Sequence, residues 1–133
     1  MDANVLISAA FGGVPASAVK KAFEQEVWTS EEIQRELLEI QRYFPKVFSQ
    51  EQVLTWNSAL LPLLSKMRLS EVRHRLKLSR DPKDDMYLSL ARAVLADFLV
   101  TGDKDLLSIS AEKLAHSGLE HLQIVTPKEF LGA

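Results

Sequence analysis

Apolar residues recur with a helical period in four stretches of the chain. Ala16 to Gln25 places Val19, Ala22 and Phe23 on one side, the pattern of a short amphipathic helix. Thr29-Ser30-Glu31-Glu32 reads as a capping box with Thr29 as N-cap and Glu32 at the third helical position. It opens a helix along Ile33, Leu37, Ile40 and Phe44 that Pro45 closes. A third helix starts at Ser49, partnered by Gln52, and carries Val53, Trp56, Leu60, Leu63, Leu64 and Met67, with a kink expected at Pro62. The fourth opens at Asp81-Pro82, where a side-chain acceptor precedes a residue with no N–H to satisfy, and runs through Tyr87, Leu90, Ala91 and Val94.

Between these stretches lie short apolar runs: Val5-Leu6-Ile7, Val27-Trp28, Phe98 to Thr101 and Leu122 to Val125. Such runs suit strands of a parallel sheet buried on both faces. Val72 to Leu78 alternates weakly and is expected at a sheet edge, and Thr126-Pro127-Lys128-Glu129 caps a terminal helical turn. Strands alternating with helices predict an α/β layered sheet with right-handed crossovers. No repeat, linker or low-complexity segment divides the chain, so residues 1–133 are expected to form a single domain.

Composition narrows the class. A chain of 133 residues, 47% of them apolar, can bury roughly two-thirds of its unfolded surface in one core. The absence of cysteine excludes disulfides, thiolate zinc sites and cysteine nucleophiles, and it suits a reducing compartment, so a cytoplasmic location is expected. His74, His116 and His121 stand at no metal-ligand spacing. The uncharged stretch Ala3 to Val19, with Ala16-Ser17-Ala18, superficially suggests a secretory signal. Its leading Met1-Asp2 is not basic and Gly12-Gly13-Val14-Pro15 interrupts it, so that reading is rejected. No other uncharged run reaches the length of a membrane span, and a soluble protein is expected.

The net charge of −2 argues against a surface that grips polyanions everywhere. Its distribution is uneven. Lys66, Arg68, Arg73, Arg75, Lys77, Arg80 and Lys83, with His74, form a basic segment opposed only by Glu71 and Asp81. This segment reads either as a solvated face or as a strip that guides phosphates, with Arg73, Arg75, Lys77 and Arg80 as its candidate contacts.

Acidic residues supply the candidate chemistry. Asp2 adjoins the first apolar run, Glu36 lies inside the second helix, Asp85 in the first turn of the fourth, and Asp103 just after Phe98 to Thr101. In an open α/β sheet, loops and helix starts at the carboxyl ends of strands can converge on one crevice. Carboxylates gathered there repel one another unless a cation neutralises them, and oxygen ligands without His or Cys select Mg²⁺ or Mn²⁺. Such a site suits phosphodiester hydrolysis. Each acid also has a bland reading: a terminal polar residue, a solvated helix residue, a dipole-favoured helix start and a turn former. An aspartyl-nucleophile phosphoryl-transfer enzyme would place a second acid two residues after the first, where Asn4 stands.

Five segments, taken in order, resemble the PIN-domain nucleases: Asp2 to Ser8, Ser30 to Leu37, Arg80 to Leu88, Val100 to Leu107 and Ile124 to Leu131. Within that family the chain is most similar to the bacterial toxins of toxin–antitoxin pairs, akin to VapC-type toxins. The resemblance implies a three-layer α/β/α sandwich around a parallel central sheet and a Mg²⁺- or Mn²⁺-dependent endoribonuclease acting on single-stranded RNA. A small antitoxin protein and a second copy of the chain are the candidate partners. It maps the acidic quartet onto Asp2, Glu36, Asp85 and Asp103. It maps a hydrogen-bonding Asn onto Asn4 and the residue that orients the fourth acid onto Thr101, with Asp84 and Asp105 as supporting carboxylates. Family members carry several apolar residues before the first Asp, and here only Met1 precedes it. The first strand is therefore expected to be truncated, leaving unpaired backbone in the middle of the sheet. A catalytically impaired module that binds RNA or protein on the same scaffold is the alternative function.

Overall fold

A computed structural model describes residues 1–132. Helices α1 (Ala3–Ala9) and α2 (Gly13–Ala22) come first, followed by β1 (Trp28–Thr29), α3 (Glu31–Val47) and α4 (Gln50–Lys66). Then come β2 (Arg68–Leu69), α5 (Pro82–Val94), β3 (Phe98–Val100), α6 (Lys104–Leu107), α7 (Ala111–His116), β4 (Gln123–Val125) and α8 (Pro127–Gly132). The architecture is α/β, with the strands in two parallel pairs, β1 with β2 and β3 with β4.

Several starts follow the sequence pattern. Ser49 and Gln52 exchange both bonds of a capping box at α4. Asp81 caps α5 through the Lys83 N–H with Pro82 in the first turn. At α3 the cap is one residue later than the pattern suggests: Ser30, not Thr29, accepts from Ile33 N–H. Thr29 is committed to the strand, where its carbonyl takes the Ser70 N–H. Pro45 does not close α3, which continues to Val47.

Two strand expectations are corrected. Val5-Leu6-Ile7 is not a strand but the middle of α1, because the Asp2 side chain accepts from the Asn4 N–H and starts a helix. Val72 to Leu78 forms no strand; its partly buried Val72, Leu76 and Leu78 pack on the core as an extended segment. That segment is pinned to α5 by side chains rather than by a ladder, with Leu76 N–H bonded to Ser89 Oγ and Leu78 N–H to Asp85 Oδ1.

The main core joins α1, α2, α5 and the β3–β4 pair. A smaller cluster of Phe44, Trp56 and Leu60 holds α3 against α4, with the Phe44 and Trp56 rings edge to face at 4.5 Å. No helix among the described residues is long and apolar enough to cross a membrane.

Candidate metal centre

The starts of α1, α5 and α6 are all made by aspartates, at Asp2, Asp81 and Asp103. A carboxylate is favoured there because the first turn of a helix leaves N–H groups unpaired and carries the positive end of its dipole. The same preference places Asp84 and Asp85 in the first turn of α5, and Asp105 follows Asp103 into α6.

Among the described residues, Asp84, Asp103 and Asp105 bring carboxylate oxygens within 4.8 Å of one another. Metal–oxygen bonds of about 2.0–2.6 Å put two oxygens on one ion at no more than about twice that length. The span and the all-oxygen donor set therefore fit a hard divalent cation. Asp84 is buried, Asp103 half-buried and Asp105 exposed, so the cluster opens to solvent on one side. Burial, and next the hydrogen bond and charge of Asp103, push the Asp84 carboxyl up to about 6, with the Ser79 hydroxyl pulling the other way. A cation bound beside it would offset both the burial of Asp84 and the charge of Asp103.

Asp85 does something else. Its Oδ1 accepts the Leu78 and Ser79 N–H groups at 2.9 and 2.8 Å, fastening the approach to α5. The acids whose oxygens meet Asp103 within that span are Asp84 and Asp105. The two adjacent aspartates lie about 100° apart around the helix. One faces the crevice, while the other faces a segment whose backbone has no strand partner.

Asp2 and Glu36 are each held by a hydroxyl group. Thr101, fully buried, donates to Asp2 Oδ2 at 2.6 Å and accepts the Asp103 N–H at 3.0 Å. Tyr87 donates to Glu36 Oε2 at 2.8 Å and accepts the Ala3 N–H at 3.1 Å. One hydroxyl thus ties the first acid to the fourth, and the other ties α3 to the start of α1. Burial, then the nearby Asp2 charge, raise the Tyr87 hydroxyl far above its ordinary value, so it remains a donor throughout the neutral range. Asn4 contributes its backbone N–H to Asp2 Oδ1 while the residue itself is exposed.

Tyr87 and Ser79 are the residues that sequence reasoning missed. Tyr87 sat in the apolar line of α5, and only its hydroxyl, three residues after Asp84, hinted at more. Ser79 donates from Oγ to Asp84 Oδ2 and from its backbone to Asp85, so it orients both neighbours. Of the basic candidates, Arg80 stands 3.7 Å from Asp105 and therefore beside the cluster. Arg75 is engaged by Glu32 at 2.6 Å and by the Pro82 carbonyl, and Arg73 by Glu71. Lys77 is exposed on the same segment.

A family model described as PIN domain matches residues 1–105, which span every acid of this centre. The chain belongs to the PIN-domain family. No curated protein and no solved structure matches it significantly. PIN domains are typically metal-dependent nucleases, and the carboxylate cluster of this PIN domain is of the kind such chemistry needs.

Proposed function

We propose that this PIN domain is a Mg²⁺- or Mn²⁺-dependent endoribonuclease that hydrolyses phosphodiester bonds of single-stranded RNA. The observation that carries the reading is the meeting of Asp84, Asp103 and Asp105 oxygens within 4.8 Å, with Asp2 wired to Asp103 through Thr101. Bound there, a divalent cation would supply a Lewis acid for the phosphate and an activated water. The chain's own residues do the positioning. Thr101 holds Asp2 and the Asp103 backbone in fixed relation, Ser79 orients Asp84, and Tyr87 ties Glu36 to the Ala3 N–H beside Asp2.

Arg80, beside the cluster and almost fully exposed, is placed to meet a phosphate whose approach the acids would otherwise oppose. Arg73, Arg75 and Lys77 extend that positive strip, although Arg75 must leave Glu32 to take part. We read residues 1–133 as one cytoplasmic domain on a three-layer α/β/α frame, and its biological role as the toxin of a toxin–antitoxin pair, restrained by a small antitoxin. That role rests on the sequence resemblance.

One observation favours a second reading, an impaired module that binds RNA or protein without cleaving. Both Asp2 oxygens are already used, by the Asn4 N–H and the Thr101 hydroxyl. A single assay separates the readings: cleavage of structured and unstructured RNA with Mg²⁺, Mn²⁺ or chelator, alongside Asp84→Asn. The nuclease cleaves unstructured RNA only with the cation and loses that activity in Asp84→Asn. RNA left intact with either cation, or cleaved equally by Asp84→Asn, would overturn the nuclease reading.

A further inference from the structure

Glu32 and Glu36 stand four residues apart on α3, so their side chains leave the same face of the helix. Each is held by a group from beyond α3. Tyr87 of α5 donates to Glu36, and Arg75 donates from Nη1 to Glu32 Oε1 at 2.6 Å. The second guanidinium nitrogen of Arg75 donates to the Pro82 carbonyl at 2.8 Å. One planar group therefore joins three parts of the chain: the extended segment that carries it, the first turn of α3 and the first turn of α5. Asp84 lies two residues after Pro82, inside that same turn.

The bonds that follow Arg75 along the chain all end on α5. Leu76 N–H goes to Ser89 Oγ, the Leu78 and Ser79 N–H groups go to Asp85 Oδ1, and Ser79 Oγ goes to Asp84 Oδ2. They fasten the segment to that helix, and none of them reaches α3. Among the described residues, Arg75 with Glu32 is the polar contact from residues 72–81 to α3. The two side chains are nearly half exposed, at 46% and 47%, so the pair contributes little energy by itself. Its geometry contributes more. A guanidinium fork that holds two acceptors in one plane fixes direction as well as distance, which a lysine ammonium does not reproduce.

We propose that Arg75 is a positioning residue of the cation site: together with Glu32 it clamps the first turn of α5, and with it Asp84, against α3. The role toward the cation rests on the nuclease reading, whereas the clamp itself does not. Arg75 must leave Glu32 to meet a phosphate, so the clamp is the task of its engaged form.

Variants that keep the charge isolate the geometry. Removing the Arg75 charge would by itself strengthen the hold of nearby acids on a cation, so Arg75→Lys and Glu32→Asp are the probes. Each is compared with the parent by Mn²⁺ titration and by amide exchange without cation. Both variants weaken Mn²⁺ binding by about 10-fold and speed exchange of the Leu78 and Ser79 amides by about 10-fold. The Leu60 amide, in the separate cluster with Phe44 and Trp56, keeps its rate. The double variant loses no more than either single one. Unchanged Leu78 and Ser79 exchange would overturn the clamp, and faster exchange with unchanged Mn²⁺ affinity would overturn the positioning role. Losses that add in the double variant would overturn the pairing of Arg75 with Glu32. A parent that takes up no Mn²⁺ would contradict the nuclease reading and the role toward the cation, while the exchange rates still decide the clamp.

Discussion

The α3–α4 hairpin and the acidic end of the molecule are built from opposite kinds of contact. In the hairpin, the decisive groups are near in sequence: Ser49 with Gln52, Phe44 with Phe48, Gln41 with Asn57. Its Phe44, Trp56 and Leu60 cluster is apolar, and it tolerates the one buried side-chain polar atom left without a partner among the described residues, Trp56 Nε1. At the acidic end, the bonds that matter join Thr101 to Asp2, Ala3 to Tyr87 and Tyr87 to Glu36, pairs 99, 84 and 51 residues apart. The hairpin is held by shape and area. The acidic end is held by directed hydrogen bonds around charges that repel, and it gains most from what binds there.

The largest effect expected separates the two by stability. Trp56→Ala removes a fully buried indole and should cost about 3–5 kcal/mol in urea unfolding. Mn²⁺ affinity of the folded fraction should stay as it was. A parallel loss of cation affinity would show that the hairpin and the acidic end are not independent.

Next comes the pH dependence of the cation-free protein. The Asp84 carboxyl rises from 3.8 to about 6 on folding, so between those values the native state binds more protons than the unfolded state. Stability from this group is therefore full below about pH 4 and is lost as pH rises through about 6. With chelator present, Asp84→Asn should gain roughly 2–3 kcal/mol over the parent at pH 8 and nothing at pH 4. Chemical denaturation at the two values checks this, and an equal difference at both would contradict it.

A smaller loss is expected from Tyr87→Phe, which strips the hydroxyl from between Ala3 and Glu36. Leaving the buried Ala3 N–H without its acceptor should cost about 1–2 kcal/mol, read as a lower Tm together with faster exchange of the Ala3 amide. An unchanged Ala3 amide would mean that another acceptor replaces the hydroxyl.

The same contrast explains what the sequence discloses. Ser49-x-x-Gln52 and Asp81-Pro82 announce their helices because the groups they satisfy lie within one turn. Val5-Leu6-Ile7 reads as a strand because an apolar triplet suits a strand or a buried helix equally. What decides it is the Asp2 cap, which depends on Thr101, 99 residues away, holding that side chain. That acids gather at helix starts is legible, because Asp81-Pro82 and Asp103 suit those positions. The choice between Asp84 and Asp85 is not, because it turns on Leu78 and Ser79 lacking strand partners and taking Asp85 for their N–H groups. Periodicity carries no trace of that demand.

We propose that Asp84, rather than Asp85, completes the cation site. Mn²⁺ titration of the parent, Asp84→Asn and Asp85→Asn tests it most directly, since asparagine at 85 keeps a carbonyl acceptor for the Leu78 and Ser79 N–H groups. Asp84→Asn should weaken Mn²⁺ binding by roughly 10–100-fold, and Asp85→Asn by no more than about threefold. An affinity lost in Asp85→Asn and retained in Asp84→Asn would place the cation on Asp85 instead.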